Sequence, residues 1–149
     1  MPIYHADHVE DPAEKLFRKA GGLKDYEVFN AQVLVGVYIR PEKSKGGIIT
    51  ITKTRDDDKY QAKTCMILKM GPRAFKDGKG VWFEDENGEP IKFNVGDWVV
   101  LRANDGWTMT LPIAEGSADD TDVDGKGFVC RLIEDTQVRM RVSHPDAVY

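Results

Sequence analysis

Apolar side chains recur at every second position along much of the chain after residue 31. The segment 32–40 places four β-branched residues on one side of an extended chain: Val33, Val35, Val37 and Ile39. This alternation predicts a strand, and Gly36 within it predicts a bulge or a close backbone approach. Further strands are predicted at 48–52, 64–70, 81–84, 91–93, 98–101, 108–111, 128–133 and 138–142. Short strands separated by turn-forming residues predict an all-β barrel or sandwich.

Residues 1–30 follow a different pattern, because they carry the signals of one short helix. Asp11 can cap a helix that starts at Pro12, and Gly21 with Gly22 would end it. Its short apolar face consists of Leu16, Phe17 and Ala20. A helix of about nine residues is unstable alone in water. We therefore expect it to dock on the protein's own barrel or on a neighbouring subunit.

Two connections between the predicted strands are longer than hairpin turns. Residues 40–63 contain Gly46 and Gly47, then the apolar tip Ile48, Ile49 and Thr50, and then a charged run. An apolar tip between glycines and charges cannot easily bury itself, so such a loop is either functional or disordered. Residues 112–127 form the second connection, which is rich in acidic residues and is predicted to be an exposed excursion.

Length and charge narrow the possible classes of protein. The 149 residues fit one domain. The chain has 25 acidic and 21 basic residues, a formal net charge of −4, which disfavours a nucleic-acid binder that must neutralise phosphates. The chain has no stretch of about 18 apolar residues, so we predict no membrane span. Its first ten residues lack the pattern of a signal peptide.

The residues that could support catalysis or bind a metal are few and scattered. Cys65 and Cys130 lie in apolar, strand-like runs, so we predict reduced core cysteines, with a disulfide or a metal site as the alternatives. The histidines His5, His8 and His144 all lie near the termini. We therefore predict neither a catalytic group nor a bound cofactor.

One acidic segment is similar to the start of a calcium-binding loop. Asp120, Asp122, Asp124 and Gly125 match the first half of an EF-hand loop, but Arg131 stands where that loop needs a bidentate glutamate. A solvated acidic loop is therefore the favoured interpretation, with weak calcium binding as the alternative.

Trp107 is separate from the other aromatic residues of the predicted strands. It directly follows Asn104, Asp105 and Gly106, which predict a turn. A tryptophan at the start of a strand can point into the core or project from a rim, and the sequence leaves both possibilities open.

Several of these segments, in this order, resemble the co-chaperonin family, GroES or chaperonin-10. The segment 33–50, with Lys43-Ser44-Lys45-Gly46-Gly47-Ile48, resembles the family's first strand and mobile loop. The segment 63–71 resembles the strand that returns from that loop. The segment 88–101 resembles a strand entry containing Val-Gly-Asp, and 104–107 resembles the family's Asn-Asp-Gly-aromatic turn. The resemblance covers residues 32–142.

The resemblance implies a non-enzymatic, cytoplasmic protein that forms a ring of GroES-like β-barrels, typically seven, and caps a chaperonin. The chaperonin binds the ATP, and neither nucleic acid nor membrane is a partner. Ile48, Ile49 and Thr50 would dock into the chaperonin, Gly46 and Gly47 would act as the hinge of the loop, and Trp107 would face the folding chamber. On this pattern, residues 1–30 are an N-terminal extension and 31–149 the barrel, with a mobile-type loop at 40–63, a roof-type hairpin at 71–90 and an acidic insertion at 112–127.

Departures from the family pattern leave other functions open. Thr50 stands where the docking tripeptide usually has an apolar residue, and the extension, the long roof segment and the insertion are additions. These additions resemble those of phage-encoded relatives, whose client is capsid protein and whose location is the host cytoplasm. The alternative is a virion structural protein, such as a capsid decoration or a tail or neck component, that reuses this barrel. An enzyme on the related barrel of zinc alcohol dehydrogenases is disfavoured, because no cluster of metal ligands accompanies the barrel.

Overall fold

The computed structural model describes residues 11–21, 23–39, 64–76, 84–114, 116 and 127–145. Within these residues the fold is mostly β, with one α-helix, as the all-β prediction requires. The elements are α1 Pro12–Ala20, β1 Gln32–Val37, β2 Thr64–Met70, β3 Trp98–Val100, β4 Trp107–Pro112, β5 Gly127–Glu134, a 3-10 helix Asp135–Gln137 and β6 Met140–Val142.

All six strands belong to one antiparallel sheet in the order β4-β5-β1-β2-β3-β6. Val35 at the centre of β1 lies opposite Ile67 on β2 and Arg131 on β5. The register with β2 shifts between Leu34 and Val35. Among the described residues, β4 and β6 are the edges of an open sheet, so the GroES-like barrel stays a prediction.

Most of the strands predicted from the sequence are present. They are those predicted at 32–40, 64–70, 98–101, 108–111, 128–133 and 138–142. The strand at 64–70 has the predicted bounds, whereas β1 ends at Val37. β6 begins only at Met140, because Val138 still donates its N–H to the carbonyl of Asp135 in the 3-10 helix, at 3.2 Å.

The strand predicted at 91–93 is wrong. These residues lie outside any strand, and Phe93 instead stacks on Phe75 with ring centroids 4.1 Å apart. The guanidinium carbon of Arg141 lies 5.0 Å from the centroid of the same ring. The strand predicted at 48–52 lies outside the described residues. Of the strand predicted at 81–84 only Glu84 is described, and it pairs with Pro90 in an isolated bridge.

One face of the sheet, here called the helix face, is covered by α1 and the segment that follows it. Asp11 caps the helix by accepting a hydrogen bond from the N–H of Glu14, and Gly21 ends it in the left-handed conformation, with φ +63°. The helix therefore forms as predicted and docks on its own sheet. The buried apolar residues of this face are Leu16, Leu23, Leu34, Tyr38, Met66, Leu68, Trp98, Leu111, Phe128 and Cys130.

Gly36 lets the helix approach the sheet closely. A Cβ atom at this position would lie 3.4 Å from Cδ2 of Leu16 on α1 and 3.1 Å from Cδ1 of Leu68 on β2. A methyl group would require the side chain of Leu68 to move, whereas its distance from Leu16 is that of an ordinary contact. The three atoms nearest to this Cβ belong to side chains, so the structure shows no close approach of another backbone, and the register irregularity lies just before Gly36, between Leu34 and Val35.

The opposite face of the sheet, here called the loop face, is covered by connecting segments rather than by a helix. Ala74, Phe75, Phe93 and Leu101 from these segments pack on the strands. The strand residues of this face are Val33, Val35, Val37, Cys65, Ile67, Val99, Val129 and Ile133. Because side chains alternate along a strand, Arg131 between Val129 and Ile133 also points to the loop face.

Candidate functional site

The Asn-Asp-Gly turn before Trp107 is a closed, internally bonded turn. The carboxylate of Asp105 accepts a hydrogen bond from the N–H of Arg102 at 3.0 Å, and the N–H of Asp105 donates to the carbonyl of Arg102 at 3.1 Å. Gly106 has φ +74°, and a Cβ atom there would lie 2.4 Å from the carbonyl oxygen of Leu132. The predicted turn is confirmed, and only glycine fits its last position.

Trp107 begins β4, which is an edge strand of the described sheet. It lies opposite Leu132 on β5 and shares its side of the strand with Met109 and Leu111, which pack on the helix face. Its side chain is 76% exposed, against 58% for Phe29, the next most exposed large apolar residue described. Of the two possibilities that the sequence left open, the structure shows that Trp107 projects into solvent.

A buried arginine holds this turn from the inside. Arg131 is only 2% exposed. Its Nη2 donates to the carbonyl oxygens of Arg102 at 2.9 Å and Ala103 at 3.0 Å, and also to that of Asp105. Arginine suits this place because its guanidinium stays charged and presents several N–H groups in a rigid plane. One side chain of β5 thus provides hydrogen bonds to most of the turn that precedes Trp107.

The sequence did not predict this role of Arg131. From the sequence, Arg131 stood out only because it occupies the position at which a calcium loop would need a glutamate. A usable signal was present, because Arg131 occupies the same alternating series as Val129 and Ile133. A charged residue in the inward positions of an apolar strand indicates a buried polar partner.

Both cysteines are free and buried, as predicted. Burial raises the pKa of the Cys65 thiol to about 12, although the nearby Arg131 opposes this rise. Burial also raises the pKa of the Cys130 thiol, with a smaller contribution from Cys65. Because a thiol must ionise to act as a nucleophile or metal ligand, neither cysteine is suited to that chemistry at neutral pH.

The residues predicted to dock a partner lie outside the described residues, as do the hinge glycines. These are Ile48, Ile49, Thr50, Gly46 and Gly47, and the acidic residues of the calcium-like segment lie outside as well. The structure does describe both ends of the 40–63 connection. Tyr38 donates its N–H to the carbonyl of Thr64 at 3.1 Å, so the connection leaves and re-enters the sheet on adjacent strands.

Trp107 and the ends of that connection lie at different levels of the sheet. Through Leu132, Trp107 is level with Leu34 on β1. Tyr38 directly follows the end of β1 and lies four residues beyond Leu34, or about 13 Å along an extended chain. The structure therefore does not bring Trp107 and the ends of the predicted docking loop together.

The described part of the roof-type segment is a small turn. The carboxylate of Asp85 accepts hydrogen bonds from the N–H groups of Asn87 at 2.8 Å and Glu89 at 3.0 Å. Gly88 has φ +78°, which allows the chain to reverse. Residues 77–83 lie outside the described residues, so the length of the hairpin stays a prediction.

Comparison of the chain with protein-family models and with curated proteins gave no match. In the described parts of the chain, no three acidic, histidine or cysteine side chains are grouped so that they could hold a metal ion. Among the same residues, no helix is long and apolar enough to cross a membrane. The site that the structure defines is therefore the Trp107 turn and the arginine beneath it.

Proposed function

We propose that this protein is a co-chaperonin that caps a chaperonin ring and assists protein folding, with ATP bound by the chaperonin. The observation that carries the proposal is the exposed Trp107 on its ordered turn. It belongs to the motif that resembles the family's Asn-Asp-Gly-aromatic turn. An indole that is largely exposed, on a turn held by a buried arginine, is suited to contact another polypeptide rather than to stabilise the core.

The rest of the proposal concerns the assembly and its contacts. In the proposed assembly the sheet closes into a barrel, and several barrels form a ring whose chamber Trp107 faces. The tripeptide Ile48, Ile49 and Thr50 docks into the chaperonin, on a segment whose two ends are held by neighbouring strands. A tripeptide buries little surface, so its binding is reversible, which suits a cap that must leave in each ATP cycle. The client in this proposal is phage capsid protein.

The proposal is tested by an Ile49→Asp variant. A charge at the centre of the docking tripeptide removes an apolar anchor, so the affinity for a purified chaperonin in ATP should fall by on the order of 30-fold or more. Binding is measured by sedimentation with the chaperonin, with and without ATP. The oligomeric state of the free protein should not change.

The matched control is Ile51→Asp, which introduces the same charge just outside the tripeptide. It should bind the chaperonin like the wild type. A wild-type protein that never binds a chaperonin in ATP would overturn the proposal, and equal losses in both variants would overturn the choice of tripeptide.

A further inference from the structure

We propose that Arg131 is a positioning residue for Trp107. By holding residues 102–105 in place, its buried guanidinium fixes the direction in which the indole projects towards the polypeptide that Trp107 contacts. That contact rests on the proposed function, whereas the positioning itself does not.

A set of hydrogen bonds links the side chain of Arg131 to the turn. Arg131 donates to three carbonyl oxygens that belong to Arg102, Ala103 and Asp105. These hydrogen bonds are partly buried, and a backbone carbonyl that is shielded from water is costly to leave without a partner. In an Arg131→Met variant the carbonyls of Ala103 and Asp105 lose these donors, so the turn must open towards water to find replacements.

Strand β5, which carries Arg131, also constrains Gly106. Gly106 lies so close to β5 that a Cβ atom would be 2.4 Å from the carbonyl oxygen of Leu132 and 2.5 Å from Cγ2 of Ile133. Trp107 itself then pairs with Leu132. Consecutive parts of the segment 102–107 are thus held by consecutive residues of β5, and Arg131 supplies the only side-chain link among them that carries a charge.

An ordered support reduces the conformational entropy that an exposed indole loses on binding. A side chain on a mobile turn loses conformational entropy when it binds, whereas a pre-ordered one has already lost it. An aromatic ring offers a large contact area with no demand for a particular sequence. Trp107 on this support is therefore suited to weak contacts with exposed apolar side chains of a non-native client polypeptide.

The positioning is tested by fluorine NMR on protein labelled with 5-fluorotryptophan. The chain has three tryptophans, and a Trp107→Phe variant assigns the relevant resonance. In Arg131→Met the Trp107 resonance should shift and narrow, while the resonance of buried Trp98 stays in place. Amide hydrogen exchange at residues 103–107 should become about tenfold faster or more, the factor expected from the loss of a hydrogen bond to a charged donor.

Three variants separate positioning from a general loss of stability. Arg139→Met removes an exposed arginine and should change neither measurement. Val129→Ala truncates the core on the same strand and face, and should leave the Trp107 resonance unchanged. Arg131→Lys keeps a donor and should restore part of the wild-type signal; it also serves as the test variant if Arg131→Met does not fold. A Trp107 resonance that stays unchanged in the folded Arg131 variants, or that changes equally in Val129→Ala, would overturn the proposal.

The functional part is tested by the yield of client refolded with a chaperonin and ATP. Trp107→Ala and Arg131→Met should reduce the yield by a similar factor, and the double variant should reduce it no further. Both should still bind the chaperonin. Effects that multiply in the double variant would overturn the link between the two residues. If the wild type does not bind a chaperonin, the proposed function fails, and the NMR measurement still decides the role of Arg131.

Discussion

The two faces of the sheet are covered in different ways. On the helix face, α1 bonds its own backbone groups and contributes apolar contacts, above all through Leu16. On the loop face, the covering segments are irregular. Polar side chains of the sheet and of the 3-10 helix form hydrogen bonds with the backbone groups of these segments. Arg131 bonds the carbonyls of the turn 102–105, and Asp135 accepts the N–H of Phe75 at 2.7 Å.

On the helix face too, a polar side chain of the sheet bonds the backbone where the covering segment is irregular. After α1 the chain turns at Leu23, which has φ +54°. There Lys69 on β2 donates to the carbonyl of Leu23 at 3.1 Å and to that of Tyr26. The side chains of Lys69, Arg131 and Asp135 thus bond irregular backbone that covers the sheet, because a helix satisfies its own N–H and C=O groups and an irregular segment does not.

The largest expected effect is that of removing the Asp135 carboxylate. Asp135→Ala leaves the buried N–H of Phe75 without its acceptor, so the free energy of unfolding should fall by about 3 kcal/mol. The change is measured by urea denaturation. Asp135→Asn retains an acceptor oxygen and should lose less.

The control for this comparison is Thr136→Ala, an exposed neighbour in the same 3-10 helix. It should change the free energy of unfolding by less than about 0.5 kcal/mol. A loss below about 1 kcal/mol in Asp135→Ala would contradict a stabilising role of the hydrogen bond between Asp135 and the N–H of Phe75.

The helix was predictable from the sequence because its signals are local. Asp11 and Pro12 mark its start, Gly21 marks its end, and all three act within one turn of the backbone. The strand 64–70 was predictable for a similar reason, since a short continuous apolar run is a local signal of a strand that is buried on both faces. The order of the strands and the closure of the sheet depend on pairing between distant segments, which one sequence does not reveal.

The failures share a different cause. The alternation in 91–93 is the same as in a strand, but tertiary contacts decide the outcome, with Phe93 between Phe75 and Arg141. The role of Arg131 depends on a turn that lies more than twenty residues away in the chain and crosses the loop face. Trp107 was left open because exposure at the edge of a sheet depends on which strand lies beside it.

The second largest expected effect is a loss of stability at alkaline pH, which depends on Cys65 on the loop face and Cys130 on the helix face. Burial holds the pKa of Cys65 at about 12 and raises that of Cys130 as well. In the unfolded chain both thiols ionise near their ordinary pKa of 9.0. Above that pH the unfolded state binds fewer protons than the folded state, so stability falls as the pH rises from about 9 towards 12. Each thiol should remove about 1.4 kcal/mol by pH 10.

The measurement is the free energy of unfolding at pH 8 and pH 10. It is compared between the wild type and Cys65→Ala, Cys130→Ala and the double variant, because other groups also titrate in this range. If both faces exclude water equally, the two single variants lose the same part of the alkaline decrease. A double variant with the same decrease as the wild type would contradict the burial of both thiols.

The smallest effect concerns the contact between α1 and the sheet. Gly36→Ala should lower the free energy of unfolding by about 1 kcal/mol, because the added methyl lies 3.1 Å from Leu68, which must move, and also touches Leu16 at 3.4 Å. In a Leu16→Ala background the space left by the leucine accepts the methyl. The double variant should therefore lose less than the sum of the two single losses, by about 0.5–1 kcal/mol.

The same cycle with Val129→Ala in place of Leu16→Ala is the control, since Val129 lies on the loop face. There the losses should add within about 0.5 kcal/mol. Coupling in the first cycle and additivity in the second would show that the helix is held by the fit of apolar atoms against Gly36. Additivity in both would mean that the cost of the extra methyl does not arise from its contact with Leu16 on α1. The distinction between a face held by apolar fit and one held by buried hydrogen bonds would then depend on Asp135 and Arg131 alone.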